Sequence, residues 1–161
     1  MMKILTTLLL LIFSLAFFSC NEEKTYEYCD EFSRYLIEVH DQDINNNVTY
    51  FLLPVNGCEN CIELNLKLLK EKKYNIQLII IGHTFNENRS LLIESLSDNY
   101  SNILQDDKYG ISQYRIGFSK PLIVTLENGK CIYHLNISDF KVDEAKKYLE
   151  KNAIRNHVQV I

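Results

Sequence analysis

The chain has 161 residues, five cysteines and a formal net charge of −4. It contains no long basic run, so nothing in the charge balance attracts nucleic acid or an anionic membrane surface. Setting aside a leader of 19 residues leaves enough chain for one domain with a sizeable core and too little for two.

Residues 1–19 read as a targeting segment: Lys3 supplies positive charge, and an apolar stretch from Leu8 to Phe18 is too short for an ordinary membrane span. The stretch ends in Ser19-Cys20, and a small residue directly before such a cysteine resembles the bacterial lipoprotein signal. Phe17 and Phe18 depart from it, standing where that signal usually has Leu and a small residue. The resemblance implies a signal peptide over 1–19, a lipid on Cys20, and a place in the bacterial cell envelope, anchored to a membrane on its periplasmic side or outer surface. An uncleaved anchor or simple secretion is the alternative. Asn21-Glu22-Glu23 is similar to an acidic tag for outer-surface export and equally reads as a solvated leader.

Residues 20–47 form an N-terminal leader and helix, in which Tyr28, Phe32, Tyr35, Leu36 and Val39 fall at helical spacing between Tyr26 and about His40. Asp41 to Asn47 is an Asn-rich turn, and Val48 to Val55, rich in β-branched and aromatic types, predicts a buried first strand. Asn56-Gly57 breaks it. A helical pattern then runs to about Lys73, with Ile62, Leu64, Leu66, Leu68 and Leu69 along it and a basic tail that the helix dipole favours. Ile76 to Gly82 is almost wholly apolar, as a central strand covered on both faces requires. Leu91, Leu92, Ile93 and Leu96 predict a helix, Ile103-Leu104 a short strand, and Tyr109 to Tyr114 a helical turn. After Pro121, Leu122 to Leu126 and Cys131 to Leu135 pair across a hairpin turn containing Asn128-Gly129, and Val142 to Lys151 closes as a helix before a tail over 152–161.

Cys58-Glu59-Asn60-Cys61 therefore lies at the start of a helix that follows a strand. A helix start carries unpaired N–H groups and the positive end of the macrodipole, both of which stabilise a thiolate at Cys58. The position suits thiol–disulfide exchange.

The order strand, CxxC helix, strand, helix, then Pro followed by an Asn-Gly hairpin and a last helix resembles the thioredoxin fold. More narrowly it is similar to the membrane-anchored, exported proteins of the TlpA type. Lys120 to Lys130 resembles the family's cis-proline strand and hairpin, and Asp106 to Gly110 the stretch before it. The resemblance covers about residues 48–151 and implies an α/β thioredoxin-like fold with a central mixed β-sheet flanked by helices. It also implies that Cys58 attacks a substrate disulfide and that Cys61, one turn along, resolves the mixed disulfide. Pro121 would sit in cis beside the pair, holding backbone groups there and blocking metal capture, and Lys120 would line the substrate groove. The implied function is a thiol–disulfide oxidoreductase acting on exported proteins that contain disulfides, recharged by a membrane-bound reductant, with no bound cofactor or metal.

The chain departs from the family's pattern in having no Trp and no Gly-Pro between the cysteines, which bears on activity more than on fold. Glu59 opposes ionisation of Cys58 by like-charge repulsion, which predicts a reductase or isomerase bias. Other readings stand beside exchange. The CxxC pair is a permanent disulfide in a non-catalytic thioredoxin-fold lipoprotein that serves as a binding or scaffold protein, or two ligands of a metal site that Cys29, Cys131 or a His completes. Peroxide reduction lacks the Pro-x-x-x-Thr-x-x-Cys arrangement. Cys29 and Cys131 read as small buried apolar residues, and a bridge between them is also open. The histidines at 40, 83, 134 and 157 fit no catalytic spacing. Asp106-Asp107 is either a proton acceptor for Cys61 or a solvated loop pair.

Overall fold

In a computed structural model of the chain, residues 26–83 and 87–155 are described. Residues 1–19, read above as a signal peptide, together with Cys20, His157 and the end of the tail, lie outside them. The elements are helix α1 (Cys29–His40), strand β1 (Val48–Pro54), helix α2 (Glu59–Glu71), strand β2 (Gln77–Ile81), helix α3 (Glu87–Glu94), strands β3 (Ile103–Asp106), β4 (Leu122–Glu127) and β5 (Lys130–Asn136), and helix α4 (Val142–Arg155). Short 3-10 turns follow α3 and β3 and precede α4.

The five strands form one mixed sheet in the order β3-β2-β1-β4-β5. The β3–β2 and β2–β1 pairs are parallel, and the β1–β4 and β4–β5 pairs antiparallel. Parallel neighbours need a crossover, which α2 supplies between β1 and β2. The register Leu52↔Leu122 and Leu122↔Asn136 brings the end of β1, the start of β4 and the end of β5 to one edge. The dithiol leaves β1 at that edge.

β1 is buried on both faces, as its uninterrupted apolar run predicts. Phe51 and Leu53 pack with Ile62, Leu66 and Leu69 of α2 and Ala145 and Leu149 of α4. Tyr50 and Leu52 point the other way, into a second core with Phe32, Tyr35 and Leu36 of α1. The i, i+3, i+4 spacing of those three residues is why α1 presents a single apolar stripe.

The α/β class, with a central mixed sheet flanked by helices, is the one the sequence predicts. Boundaries shift slightly: α1 begins at Cys29 rather than Tyr26, and α2 ends at Glu71. α1 stops because Asp41 adopts a left-handed φ of 51°, letting the N–H groups of Asp41 and Gln42 bond back to the carbonyls of Ile37 and Leu36, both at 3.1 Å. Asn128 and Gly129, with φ of 51° and 75°, make the tight turn between β4 and β5.

Cys29 and Cys131 are disulfide-bonded, with Cα atoms 5.7 Å apart. The bridge fastens α1 to β5, an edge strand of the sheet.

Candidate functional site

Beyond Pro54 the chain still follows the sheet for one residue, Val55 donating to Ile81 O at 3.0 Å. Asn56-Gly57 then turns it outward. Gly57 has a φ of 118°, which L side chains rarely adopt, so glycine is required where the loop reverses into α2. Cys58 occupies the N-cap, its sulfur accepting the backbone N–H of Cys61 at 3.3 Å.

Cys58 and Cys61 are joined as a disulfide. They are unequal in access. Cys58 is exposed, whereas Cys61 is only 2 % exposed. The fully buried Asn65, one turn on, donates from Nδ2 to Cys61 O at 2.7 Å and ties the first turns of α2 together.

Two further side chains brace the loop. Arg89 of α3 donates from Nη1 to Val55 O at 2.8 Å and places Nη2 3.7 Å from Glu59 Oε1. Its side chain is 11 % exposed, against 71 % for Glu59. The repulsion that Glu59 exerts on a Cys58 thiolate is therefore partly offset by a neighbouring guanidinium. On the other side, Asn56 donates from Nδ2 to His83 O at 2.9 Å and also to the Tyr109 hydroxyl. The Tyr109 ring lies across Gly82, where a Cβ would overlap it.

Tyr109 and Gly57 also border an open cleft of about 630 Å³, walled by Tyr114 and Phe118 and carrying Arg115 at its rim. The cleft runs along the segment that leads to Pro121 and reaches Ser119, one residue short of the exposed Lys120.

Pro121 corrects an expectation. No peptide bond among the described residues is cis, so the Lys120–Pro121 bond is trans. Trans is the ordinary X–Pro preference, and here the chain enters β4 with Pro121 O accepting Ile137 N–H at 2.7 Å. Sheet register places Pro121 at the same edge as the dithiol loop.

Asp106 is neither a solvated loop residue nor an open proton acceptor. It is 3 % exposed and accepts N–H groups from Gly110 at 2.6 Å and Ile111 at 2.8 Å, and the Tyr35 hydroxyl at 3.1 Å. It thereby caps the 3-10 turn that forms one side of the cleft. Tyr35 gives its only proton to Asp106, so His40 Nε2, 2.9 Å from the same hydroxyl, is the donor in that contact. Burial, then the Asp106 charge, push the Tyr35 hydroxyl well above its usual pKa. Burial holds the His40 imidazole below 6.5, against the opposing pull of Asp106. Asp107 is exposed, 3.8 Å from His83.

Cys29 and Cys131, the cysteines a four-thiolate metal site would need, are bonded to each other. The sequence reading did not find Asn56, Arg89 or Tyr109 as parts of the site. Only Tyr109 had a local signal, standing in the Asp106 to Gly110 stretch. No protein-family model matches the chain, and no curated protein matches it.

Proposed function

We propose that the chain is a thioredoxin-like thiol–disulfide oxidoreductase, with a reductase or isomerase role, that acts on disulfides of exported proteins. In this reading lipid on Cys20 tethers it to a membrane of the bacterial cell envelope. Among the described residues no helix is long and apolar enough to cross a membrane.

The observation that carries the proposal is the inequality of the two sulfurs at a helix start. An exposed Cys58 is where a substrate disulfide can arrive, and a Cys61 that is 2 % exposed is sheltered from everything except its neighbour. The Cys58 thiolate attacks one sulfur of the substrate disulfide, forming a mixed disulfide and expelling a thiolate that takes up a proton. Cys61 then gives up its proton and attacks the Cys58 sulfur, expelling the second substrate thiolate, which is protonated in turn. Two electrons have passed to the substrate, and the CxxC disulfide is left. A membrane-bound reductant must return it to the dithiol.

Sheet order, the crossover helix carrying the dithiol and the hairpin before the last helix support the thioredoxin-like reading. Glu59 and Arg89 set opposite charges beside the helix start, so Cys58 lacks the concentrated positive surroundings of a strongly acidified thiol, which favours a reducing or isomerising partner over a strong oxidant. The cleft beside Gly57 gives a polypeptide substrate somewhere to lie, with Lys120 one residue beyond its Ser119 end.

The test is the redox potential of the pair in the chain without residues 1–20, titrated against glutathione and dithiothreitol. A value between about −120 and −270 mV is expected for an exchange protein. A pair that resists reduction below about −300 mV is a structural staple, and the binding or scaffold reading then replaces this one.

A further inference from the structure

We infer that Arg89 is a positioning residue for the dithiol, one whose charge, held beneath the first turn of α2, sets the acidity and redox balance of Cys58. The inference rests on the proposed exchange activity.

The two ends of the guanidinium bracket Cys58 in the chain. Nη1 holds the carbonyl of Val55, three residues before it, at 2.8 Å, and Nη2 lies 3.7 Å from the carboxylate of Glu59, the residue after it. With the Arg89 side chain 11 % exposed, water screens this charge far less than an ordinary surface arginine's. Arginine also stays charged throughout the range in which a thiol titrates. The fixed charge therefore does two things at once. It holds the loop that presents Cys58, and it partly offsets the carboxylate that the sequence places next to the nucleophile. Among the described residues, other charged groups near this end include His83 and Asp107, which face each other at 3.8 Å beyond Asn56, the exposed Glu63 one turn further along α2, and the exposed Arg115 and Lys120 on the cleft side of Gly57.

Charge next to a cysteine acts on the thiolate and not on the thiol. Removing Arg89 thus raises the pKa of Cys58 and destabilises the reduced, ionised form relative to the disulfide. Removing Glu59 does the opposite. A purely structural brace does not produce effects of opposite sign from the two ends of one ion pair.

The experiment measures two quantities on the reduced and oxidised protein. One is the pH dependence of Cys58 alkylation. The other is the equilibrium in which the CxxC disulfide and two glutathione thiols give the CxxC dithiol and glutathione disulfide. The equilibrium is read at about pH 9.5, above the ordinary thiol pKa of about 8.5, because a protonated Cys58 does not register the charge. Arg89→Met is expected to move it about fivefold to tenfold toward the CxxC disulfide, about 20 to 30 mV for a two-electron couple. Arg89→Lys stays near the parent, Glu59→Gln moves it the other way, and the double variant Arg89→Met with Glu59→Gln returns close to the parent. Shifts of the same sign, or none, overturn the inference. If Arg89→Met does not fold, Glu59→Gln, at an exposed position, decides alone: an unchanged Cys58 acidity overturns the inference. A parent pair that neither reductant opens defeats the exchange activity itself, whereas a reducible pair indifferent to both variants defeats only the role of Arg89.

Discussion

The sulfur of Cys58 accepts the backbone N–H of Cys61 across 3.3 Å, so the buried cysteine's own peptide group is a donor placed to stabilise a thiolate at Cys58 once the disulfide is reduced. Order of attack follows from this and from exposure. In the reduced protein Cys58 is expected to alkylate about tenfold faster than Cys61, or more, since thiolate fraction and access both favour it. Cys58→Ser should drop insulin reduction to the uncatalysed rate. Cys61→Ser should leave the first step intact and accumulate a mixed disulfide, visible by mass. Equal alkylation of the two thiols would contradict the assignment.

The Cys29–Cys131 bridge spans 102 residues of sequence. Closing a loop of that length removes denatured-state entropy worth about 4.7 kcal/mol in the simplest model, with typical measured losses of about 2–5 kcal/mol. The paired substitution Cys29→Ser and Cys131→Ser is therefore expected to lower unfolding free energy by about 2–5 kcal/mol in urea titration. The redox potential of the Cys58–Cys61 pair should remain unchanged, because the bridge joins α1 to β5 and touches neither sulfur. A change in that potential would show the two disulfides to be coupled.

What was legible in the sequence is what local chemistry dictates. The apolar runs of β1 and β2, the stripe of Phe32, Tyr35 and Leu36, the Asn128-Gly129 turn and the dithiol at the start of α2 all follow from periodicity and turn chemistry over a few neighbouring residues. The Cys29–Cys131 bridge did not, because pairing depends on α1 and β5 meeting in space and spacing alone allows several outcomes. Pro121 reads the same in sequence whether its bond is cis or trans. Asp106 reads as a solvated loop residue until Tyr35, 71 positions away, is found donating to it. Arg89 is a lone basic residue on a short helix, and its two partners lie across the site. The site's support is tertiary, so its sequence trace is weak.

Tyr109 depends on Gly82. Gly82 has a φ of 87°, and a Cβ there would overlap the Tyr109 ring. Gly82→Ala is expected to cost about 1–2 kcal/mol from the left-handed backbone alone, and more from the clash. Adding Tyr109→Gly should recover the clash portion, since the ring is gone and residue 109 itself sits at a φ of 54° that glycine adopts freely. Equilibrium unfolding of both variants measures this. A double variant no more stable than Gly82→Ala would mean that the ring and the glycine are not coupled.

Acid sensitivity follows from His40 and His134. Burial holds both imidazoles below the usual 6.5, assisted at His134 by Lys141 and opposed at His40 by Asp106. A histidine with a depressed folded-state pKa binds its proton more readily in the unfolded chain, so the unfolded state carries more protons as pH falls and stability falls with it. The loss begins near pH 6.5, the unfolded value, and levels off below the folded one. At His40 a protonated ring keeps its Nε2 donor to Tyr35, and burial outweighs the attraction of Asp106. His40→Gln, which keeps a donor and removes the titration, is therefore expected to flatten the decline in unfolding free energy measured from pH 7.5 to 5. It should do so without altering the thiol chemistry of Cys58. A decline as steep in a variant lacking both histidines would assign the acid sensitivity to the carboxylates instead.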